Sequence, residues 1–206
     1  KKLEPEIVFH MAAQPLVRES YSSPRDTYNT NVIGTANILD ASVNCESVKT
    51  IVAITTDKCY ENIEKDYAYK ETDPLGGHDP YSSSKACAEH VASAYYRSFC
   101  KGKEIGLATV RAGNVIGGGD WAIDRLFPDM MRSWSKDNKV IIRYPEATRP
   151  WQHILDPLCG YLKLAEKLWD NPLEFSSAWN FGPDQFSVKT VEDTIQVAAR
   201  LWGPMA

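Results

Sequence analysis

The sequence predicts an α/β protein: a doubly wound, mainly parallel sheet followed by part of a smaller C-terminal substrate domain. Two observations predict it. Short apolar runs alternate along the chain with longer amphipathic ones, the order expected of β/α units. The short runs are rich in β-branched or aromatic residues and are bounded by turn or polar residues, whereas the long ones repeat apolar positions every three or four residues.

The expected strands are Ile7 to Ala12, Thr50 to Thr55, Ile105 to Arg111, Val140 to Ile142 and Ala178 to Phe181. Helices are expected between and after them. Asp26 to Asn44 spaces Val32, Ala36, Leu39 and Val43 on one face, and Tyr81 to Phe99 does the same with Ala88, Val91 and Tyr95. Leu155 to Trp169 and Val188 to Trp202 follow that period. Pro80 stands just ahead of the second helix, where a missing N–H is harmless. No repeat, low-complexity tract or Pro/Gly/Ser-rich linker divides the chain.

Composition narrows the function classes. The 206 residues are 43% hydrophobic and 24% charged, which excludes a disordered chain. No apolar run reaches the roughly 20 residues that span a bilayer, and no signal segment opens the chain, so a cytoplasmic location is expected. Lys plus Arg number 23 against 27 Asp plus Glu, a net charge of -4, which attracts neither nucleic acid nor an anionic membrane. A small ligand is the expected partner. Cys45, Cys59, Cys87, Cys100 and Cys159 are odd in number and widely spaced, with no C-x-x-C pair or His cluster beside them. They read as reduced thiols, with neither a disulfide framework nor a metal site.

Doubly wound dinucleotide-binding sheets open with a strand, a Gly-rich turn and a helix that receives the pyrophosphate. No such turn opens this chain. The run Gly117 to Gly119 follows Asn114 rather than leading from a strand directly into a helix, and it fails that context. Pyrophosphate binding at that run is therefore not expected.

Four segments carry chemistry. In Asp79-Pro80-Tyr81-Ser82-Ser83-Ser84-Lys85, Tyr81 and Lys85 stand one helical turn apart. A phenol of pKa about 10 is a poor base at neutral pH, but an ammonium on the same face stabilises the phenolate. The pair reads either as an acid/base site or as chance neighbours on an exposed face. Thr55-Thr56-Asp57-Lys58 ends an apolar strand in hydroxyl, acid and amine, at the sheet edge where ligands bind in open α/β folds; it reads equally as a capped turn. His10-Met11-Ala12-Ala13-Gln14 offers small residues at another strand end, for a flat ligand or for tight packing. Arg149-Pro150-Trp151-Gln152-His153 offers a guanidinium fork to phosphate, or a surface loop with an anchored Trp.

In this order the segments resemble the extended short-chain dehydrogenase/reductase family, in which a strand-end His-x-Ala-Ala, a strand-end Thr or Ser and Y-x-x-x-K share one nicotinamide site. Thr55 to Tyr60, Tyr81 to Ala86, Asn114 to Trp121 and Arg149 to His153 are similar to the CDP-glucose 4,6-dehydratases of that family. Epimerases of the family tend to lack an acid after that strand, and here Asp57 is one. The dTDP-glucose and GDP-mannose dehydratases usually follow that acid with Glu, where this chain has Lys58.

The resemblance implies dehydration of CDP-glucose to CDP-4-keto-6-deoxyglucose with NAD. Tyr81 would remove the 4-hydroxyl proton as hydride leaves carbon 4, Lys85 would hold the phenolate and the nicotinamide ribose, and Thr56 would bond the oxygen at carbon 4. Asp57 would protonate the departing 6-hydroxyl. Lys58 stands at the position of the usual carbon 5 base, a role that needs a desolvated ammonium. Ala12, Ala13, Gln14, Asn31, Thr55, Tyr81 and Lys85 match cofactor contacts. Asn114, Asp120, Trp121, Arg143, Arg149 and His153 match the nucleotide-sugar side. The family habit also implies a homodimer or a dimer of dimers.

The same resemblance expects residues 1–115 to be part of the NAD-binding domain, with residues 116–206 mostly in the nucleotide-sugar region and residues 151–182 returning to the sheet. It places Glu6 well inside the nucleotide-binding domain and implies a Rossmann-like but incomplete sheet. The family's first three strands, its Gly-rich turn and the residue that selects NAD from NADP are thus expected outside this chain, as is some structure after Trp202. The chain reads as an internal piece of an enzyme of roughly 350 residues, inactive by itself. Two rivals stand beside this reading: another nucleotide-sugar dehydratase or epimerase of the family, and an inactive fragment or binding module.

Overall fold

The computed structural model describes residues 3–65, 67–184 and 188–203. Two compact units form, one from Lys1–Ala112 with Leu158–Phe181, the other from Gly113–Pro157 with Gly182–Ala206. The segment that rejoins the first unit thus begins at Leu158, where residues 151–182 were expected.

In the first unit, β1 (Ile7–His10) leads through α1 (Val17–Ser22) into α2 (Pro24–Tyr28) and, across a π-helical turn at Asn29–Ile33, α3 (Gly34–Val43). Then come β2 (Thr50–Ile54), α4 (Pro80–Tyr95), which runs on as a π-helical turn to Cys100, and β3 (Gly106–Ala112). The second unit supplies β4 (Val115–Ile116), α5 (Leu126–Trp134), β5 (Thr148–Pro150) and β6 (Gln152–His153). α6 (Leu155–Asp170), α7 (Pro172–Phe175) and β7 (Ala178–Phe181) carry the chain back through the first unit, and β8 (Val188–Thr190) with α8 (Val191–Trp202) ends it in the second.

The sheet of the first unit has the order β1-β2-β3-β7, and every pairing is parallel. Its central strands β2 and β3 are buried on both faces, which is why they read as continuous apolar runs. Alternate residues go to opposite sides. Ile51 and Leu107 pack with Leu39 and Val43 of α3 and Ala92 of α4. Val52, Ala108 and Val110 pack with Tyr161, Leu164, Ala165 and Leu168 of α6. Helices therefore cover both faces of a doubly wound sheet.

In the second unit β4 pairs with β6 in parallel and β5 with β8 antiparallel. Met130 and Trp134 of α5 are buried, and Trp134 tilts against Trp202 of α8 at 5.7 Å between ring centroids.

Several expected elements differ in extent. The first strand stops at His10, which releases Met11 and Ala12 into the turn. Val140 to Ile142 forms no strand: three apolar residues pair with no neighbour, and Ile141 is 88% exposed. The last expected helix is divided. Val188–Thr190 is extended, and Thr190 then caps α8, accepting the Asp193 N–H at 3.0 Å while the Asp193 carboxylate accepts its own N–H at 3.4 Å. That Thr-x-x-Asp spacing is a capping box, a start signal stronger than the apolar period before it. α5 was not expected at all.

Candidate active site

The site in the first unit is assembled at the carboxyl ends of β1 and β2 and at the start of α4. α4 begins at a fixed place because Asp79 caps it, accepting the Ser82 N–H at 2.9 Å and the Ser82 hydroxyl at 2.6 Å, with Pro80 in the first turn. Gly77, at φ +114°, brings the chain so close to Ser82 and Ser83 that a Cβ would meet the Ser83 nitrogen at 2.5 Å. Only glycine makes that entry without strain.

From this start, Tyr81 and Lys85 are buried on the sheet-facing side of α4, together with Ser84 and Glu89. The Lys85 ammonium donates one of its three protons to the Ile54 carbonyl at 3.0 Å, the last residue of β2. Burial brings its pKa down to about 8, opposed by the nearby Glu89 carboxylate and Cys59. His10, at the end of β1, shares a 3.0 Å hydrogen bond with the Thr35 hydroxyl. Burial lowers its pKa too, and the Lys85 charge adds to that shift.

Thr56 and Asp57 follow β2 directly. Thr56 is nearly buried, and its hydroxyl lies 3.2 Å from Asp57 Oδ1 and accepts the Lys58 N–H at 3.4 Å. These bonds set the short turn Asp57–Cys59. Lys58 is exposed, so the desolvation on which a base role would depend is absent there. Cys59 is fully buried and its thiol is pushed up to about 12 by that burial.

Asn31 lies in the π-helical turn and is 1% exposed. Its Oδ1 accepts the Gln14 N–H at 2.8 Å, while its two amide hydrogens go to the Gln14 carbonyl at 3.1 Å and the Ser84 hydroxyl at 2.9 Å. A side chain so engaged clamps the Ala12–Gln14 turn to α4. Gln14 in turn donates to the Thr27 hydroxyl at 2.8 Å. Thr55 is likewise engaged internally, between the Glu89 carboxylate and the Val110 carbonyl at 3.0 Å.

Beneath the site lies a network that the sequence reading missed. Glu89 stands one turn after Lys85 and is 4% exposed. One of its oxygens accepts from Thr55, and the other accepts from the Thr109 hydroxyl and from Arg111 Nη2, each at 2.7 Å. Arg111 also donates to the Tyr60 hydroxyl at 2.8 Å, which donates to Asn180 Oδ1 at 2.6 Å. Two signals pointed here: an arginine inside an apolar strand, and Tyr81, Lys85 and Glu89 at successive helical turns.

The second unit holds the remaining predicted residues. Asn114 accepts the Gln152 N–H at 3.0 Å through its carbonyl, beside the pairing of β4 with β6. Asp120 accepts from the Ala122 N–H at 3.0 Å and from Arg125 at 2.9 Å. Partial burial would raise its pKa, but those two partners bring it below the ordinary value. Trp121 is 65% exposed, with its carbonyl held by Arg132 at 2.7 Å. Arg143, Arg149 and His153 are exposed; Arg143 reaches Asp124 at 3.4 Å and Arg149 reaches the Thr148 carbonyl at 2.7 Å. Gly117 packs on Ile154, where a Cβ would come within 2.7 Å, so this glycine serves packing rather than a phosphate turn.

The family whose sequence pattern is described as GDP-mannose 4,6 dehydratase matches residues 1–168. The chain belongs to that family. It is 53% identical over 207 residues to the CDP-glucose 4,6-dehydratase of Salmonella typhimurium, across 98% of this chain and 58% of that protein. It is 32% identical over 108 residues to the dTDP-glucose 4,6-dehydratase of Haemophilus influenzae, across 48% of this chain and 32% of that one. Among solved structures, MoeE5 in complex with UDP-glucose and NAD superposes with a TM-score of 0.82 at 25% identity, covering 96% of this chain and 62% of that chain. The UDP-glucuronic acid 4-epimerase of Bacillus cereus gives 0.82 at 23% identity, a likeness of fold, over 96% of this chain and 60% of that one. The chain thus spans about three fifths of the length of these longer matches.

Proposed function

We propose that the whole protein is a nucleotide-sugar 4,6-dehydratase that converts CDP-glucose to CDP-4-keto-6-deoxyglucose with NAD. The observation that carries this reading is the bond from Lys85, one helical turn after Tyr81, to the end of β2, where Thr56, Asp57 and Lys58 follow, in a chain 53% identical to a CDP-glucose 4,6-dehydratase.

The residues present fit the nicotinamide half of the cofactor. Ala12 and Ala13 leave β1 as small side chains on an open turn whose shape Asn31 and Gln14 hold. Ala12, Ala13, Gln14, Tyr81 and Lys85 would line the cofactor, with Asn31 and Thr55 supporting them from behind. When bound, NAD supplies a reversible hydride acceptor beside carbon 4.

Tyr81 takes the proton from the 4-hydroxyl, made able to do so by the Lys85 ammonium one turn away. Thr56 donates to the oxygen at carbon 4, which gains negative character as the 4-ketone enolises. The ketone acidifies the carbon 5 proton, Asp57 would protonate the 6-hydroxyl as water departs, and return of the same hydride to carbon 6 with a proton to carbon 5 would give the 4-keto-6-deoxy product. Lys58 is the residue at the base position; its exposure means that bound sugar, rather than the fold, would have to desolvate it. Arg149, Arg143, His153 and Asn114 meet the nucleotide diphosphate, and Asp120 with Trp121 the sugar.

The reading carries a cytoplasmic location, a role in supplying deoxysugars such as those of lipopolysaccharide O-antigen, and a homodimer or dimer of dimers. Exposed Ile33 and Ile38 near α3 and Phe99 beyond α4 support an apolar contact between copies. The test is turnover of CDP-glucose with NAD, read as the alkaline absorbance of a 4-keto product. CDP-glucose is expected to exceed UDP-, dTDP- and GDP-sugars by at least about tenfold in kcat/KM, about 1.4 kcal/mol. Preference for another nucleotide, or an epimer as product, would replace the substrate or the reaction. Binding without turnover would turn the reading to a binding module.

A further inference from the structure

We propose that Glu89 is a positioning residue: it ties α4 to the ends of β2 and β3 and thereby sets Tyr81 and Lys85 against Thr55 and Thr56. The inference rests on reading Tyr81 and Lys85 as the hydride-transfer site, and it adds a residue outside the Y-x-x-x-K pattern.

Three strands of geometry meet at this carboxylate. Glu89 follows Tyr81 and Lys85 by successive helical turns, so all three side chains leave one face of α4. Its first oxygen takes the Thr55 hydroxyl, the residue between the Ile54 carbonyl that holds Lys85 and the Thr56 hydroxyl. Its second takes Thr109 and Arg111 of β3, 2.7 Å from each. α4 is therefore pinned to β2 at two levels, Lys85 to Ile54 and Glu89 to Thr55. Ser84 holds α4 to Asn31 on another side, but towards the sheet the loss of Glu89 would leave Lys85 as the polar tie to β2.

The same carboxylate is the buried negative charge between two buried cations, Lys85 and Arg111. The groups that face Lys85 are Glu89 on its own helix, His10 from β1, Cys59 from the turn after β2, with Asp57 in that same turn. Of these, Glu89 acts most strongly to keep the ammonium charged, against the burial that lowers its pKa. Arg111 is paired by Glu89 and by Tyr60, so its charge is answered without recourse to the site.

The experiment compares the chain with Glu89→Gln and Glu89→Asp. The first readout needs no substrate: titration of Lys85 by carbon-13 NMR of labelled lysine, with the resonance identified by its loss in Lys85→Arg. In Glu89→Gln, Lys85 is expected to release its proton at a pH below the about 8 of the parent, and in Glu89→Asp at the parent's value. The second readout is turnover in the whole protein. Glu89→Gln is expected to lower kcat about 10- to 100-fold with KM changed less than about threefold, the loss expected when a reacting group is misplaced by about an ångström. Glu89→Asp keeps the charge but is too short to reach Thr55, so it should restore the titration and not the rate.

An unchanged Lys85 titration, or a rate loss that merely follows the loss of thermal stability, would overturn the proposal. If Glu89→Gln does not fold, Glu89→Leu combined with Arg111→Met removes both charges together; a normal melting profile with a lowered kcat supports the proposal, and a parental kcat overturns it. If the parent turns over no nucleotide sugar, the functional reading fails by itself, and the Lys85 titration still decides the role of Glu89.

Discussion

The polar side chains of the two units are held in different ways. Around α4 they are buried and bonded across the fold: Glu89 to Arg111, Asn31 to Gln14 and Ser84, Lys85 to Ile54. In the second unit Arg143, Arg149 and His153 are exposed and bonded to residues close by in sequence or to a single partner. On the proposed function, the difference separates two tasks. Bond-making chemistry needs groups fixed before the substrate arrives, because each misplacement appears directly in the barrier. Binding a charged nucleotide needs donors that can still adjust, and exposed arginines do so at little cost in stability.

Replacing a group in each region should break this contrast or sharpen it. The largest effect is expected from Tyr81→Phe, which removes the acid/base hydroxyl. Turnover of the whole protein should fall by about 10²- to 10⁴-fold with KM nearly unchanged, measured as 4-keto product. A fall of only a few-fold would remove Tyr81 from the chemistry.

The next largest concerns ion pairs. Arg111→Met leaves the Glu89 carboxylate buried without its cation and should cost about 3–5 kcal/mol in denaturant unfolding. Asp124→Asn, which weakens the exposed Arg143 pair at 3.4 Å, should cost no more than about 0.5 kcal/mol. Equal costs would erase the contrast between the units.

A third test uses pH. Lys85 has a folded pKa of about 8 against 10.5 for an ordinary lysine. Between these values the unfolded chain holds a proton that the folded chain has released, so stability due to Lys85 rises as pH climbs from 8 to 10.5. The buried Cys59 thiol acts in the opposite sense, since its proton is held up to about 12 and stability falls as pH rises above 9. The difference between the parent and Lys85→Met cancels the Cys59 contribution. Relative to that variant, the parent should gain about 3 kcal/mol across the window, followed by unfolding at a series of pH values. A flat difference would mean that Lys85 is not buried as a charge.

The smallest effect is expected in the second unit. Arg149→Ala should raise KM for the nucleotide sugar about tenfold, with kcat changed less than about threefold and the melting temperature unmoved. A loss in kcat instead would give Arg149 a part in the chemistry.

Much of the sheet was legible because its strands stand out as short apolar runs between helical periods; Ala178–Phe181 was located to the residue. The second unit was less legible. Its strands are two or three residues long, too short for any period, and Val140 to Ile142 looked like a strand on apolar content alone. Among the site residues, Tyr81 and Lys85 were legible because one helical turn places them together whatever the fold does around them. The bonds of Asn31 were not legible, since nothing in the chain near Asn31 announces that its amide will close on Gln14 and Ser84, 17 and 53 residues away.

By itself, then, the sequence determined what depends on neighbours within a turn or a strand: the order of the β/α units, the start of α4 at Pro80, the Tyr81–Lys85 face and the hydroxyl-acid-amine run that leaves β2. The tertiary structure alone decided which of those polar groups are held and which are free to bind. Burial and pairing, as between Glu89 and Arg111 or Tyr60 and Asn180, depend on strands and helices that meet only once the chain has folded, and a charge acquires its chemistry from what surrounds it there.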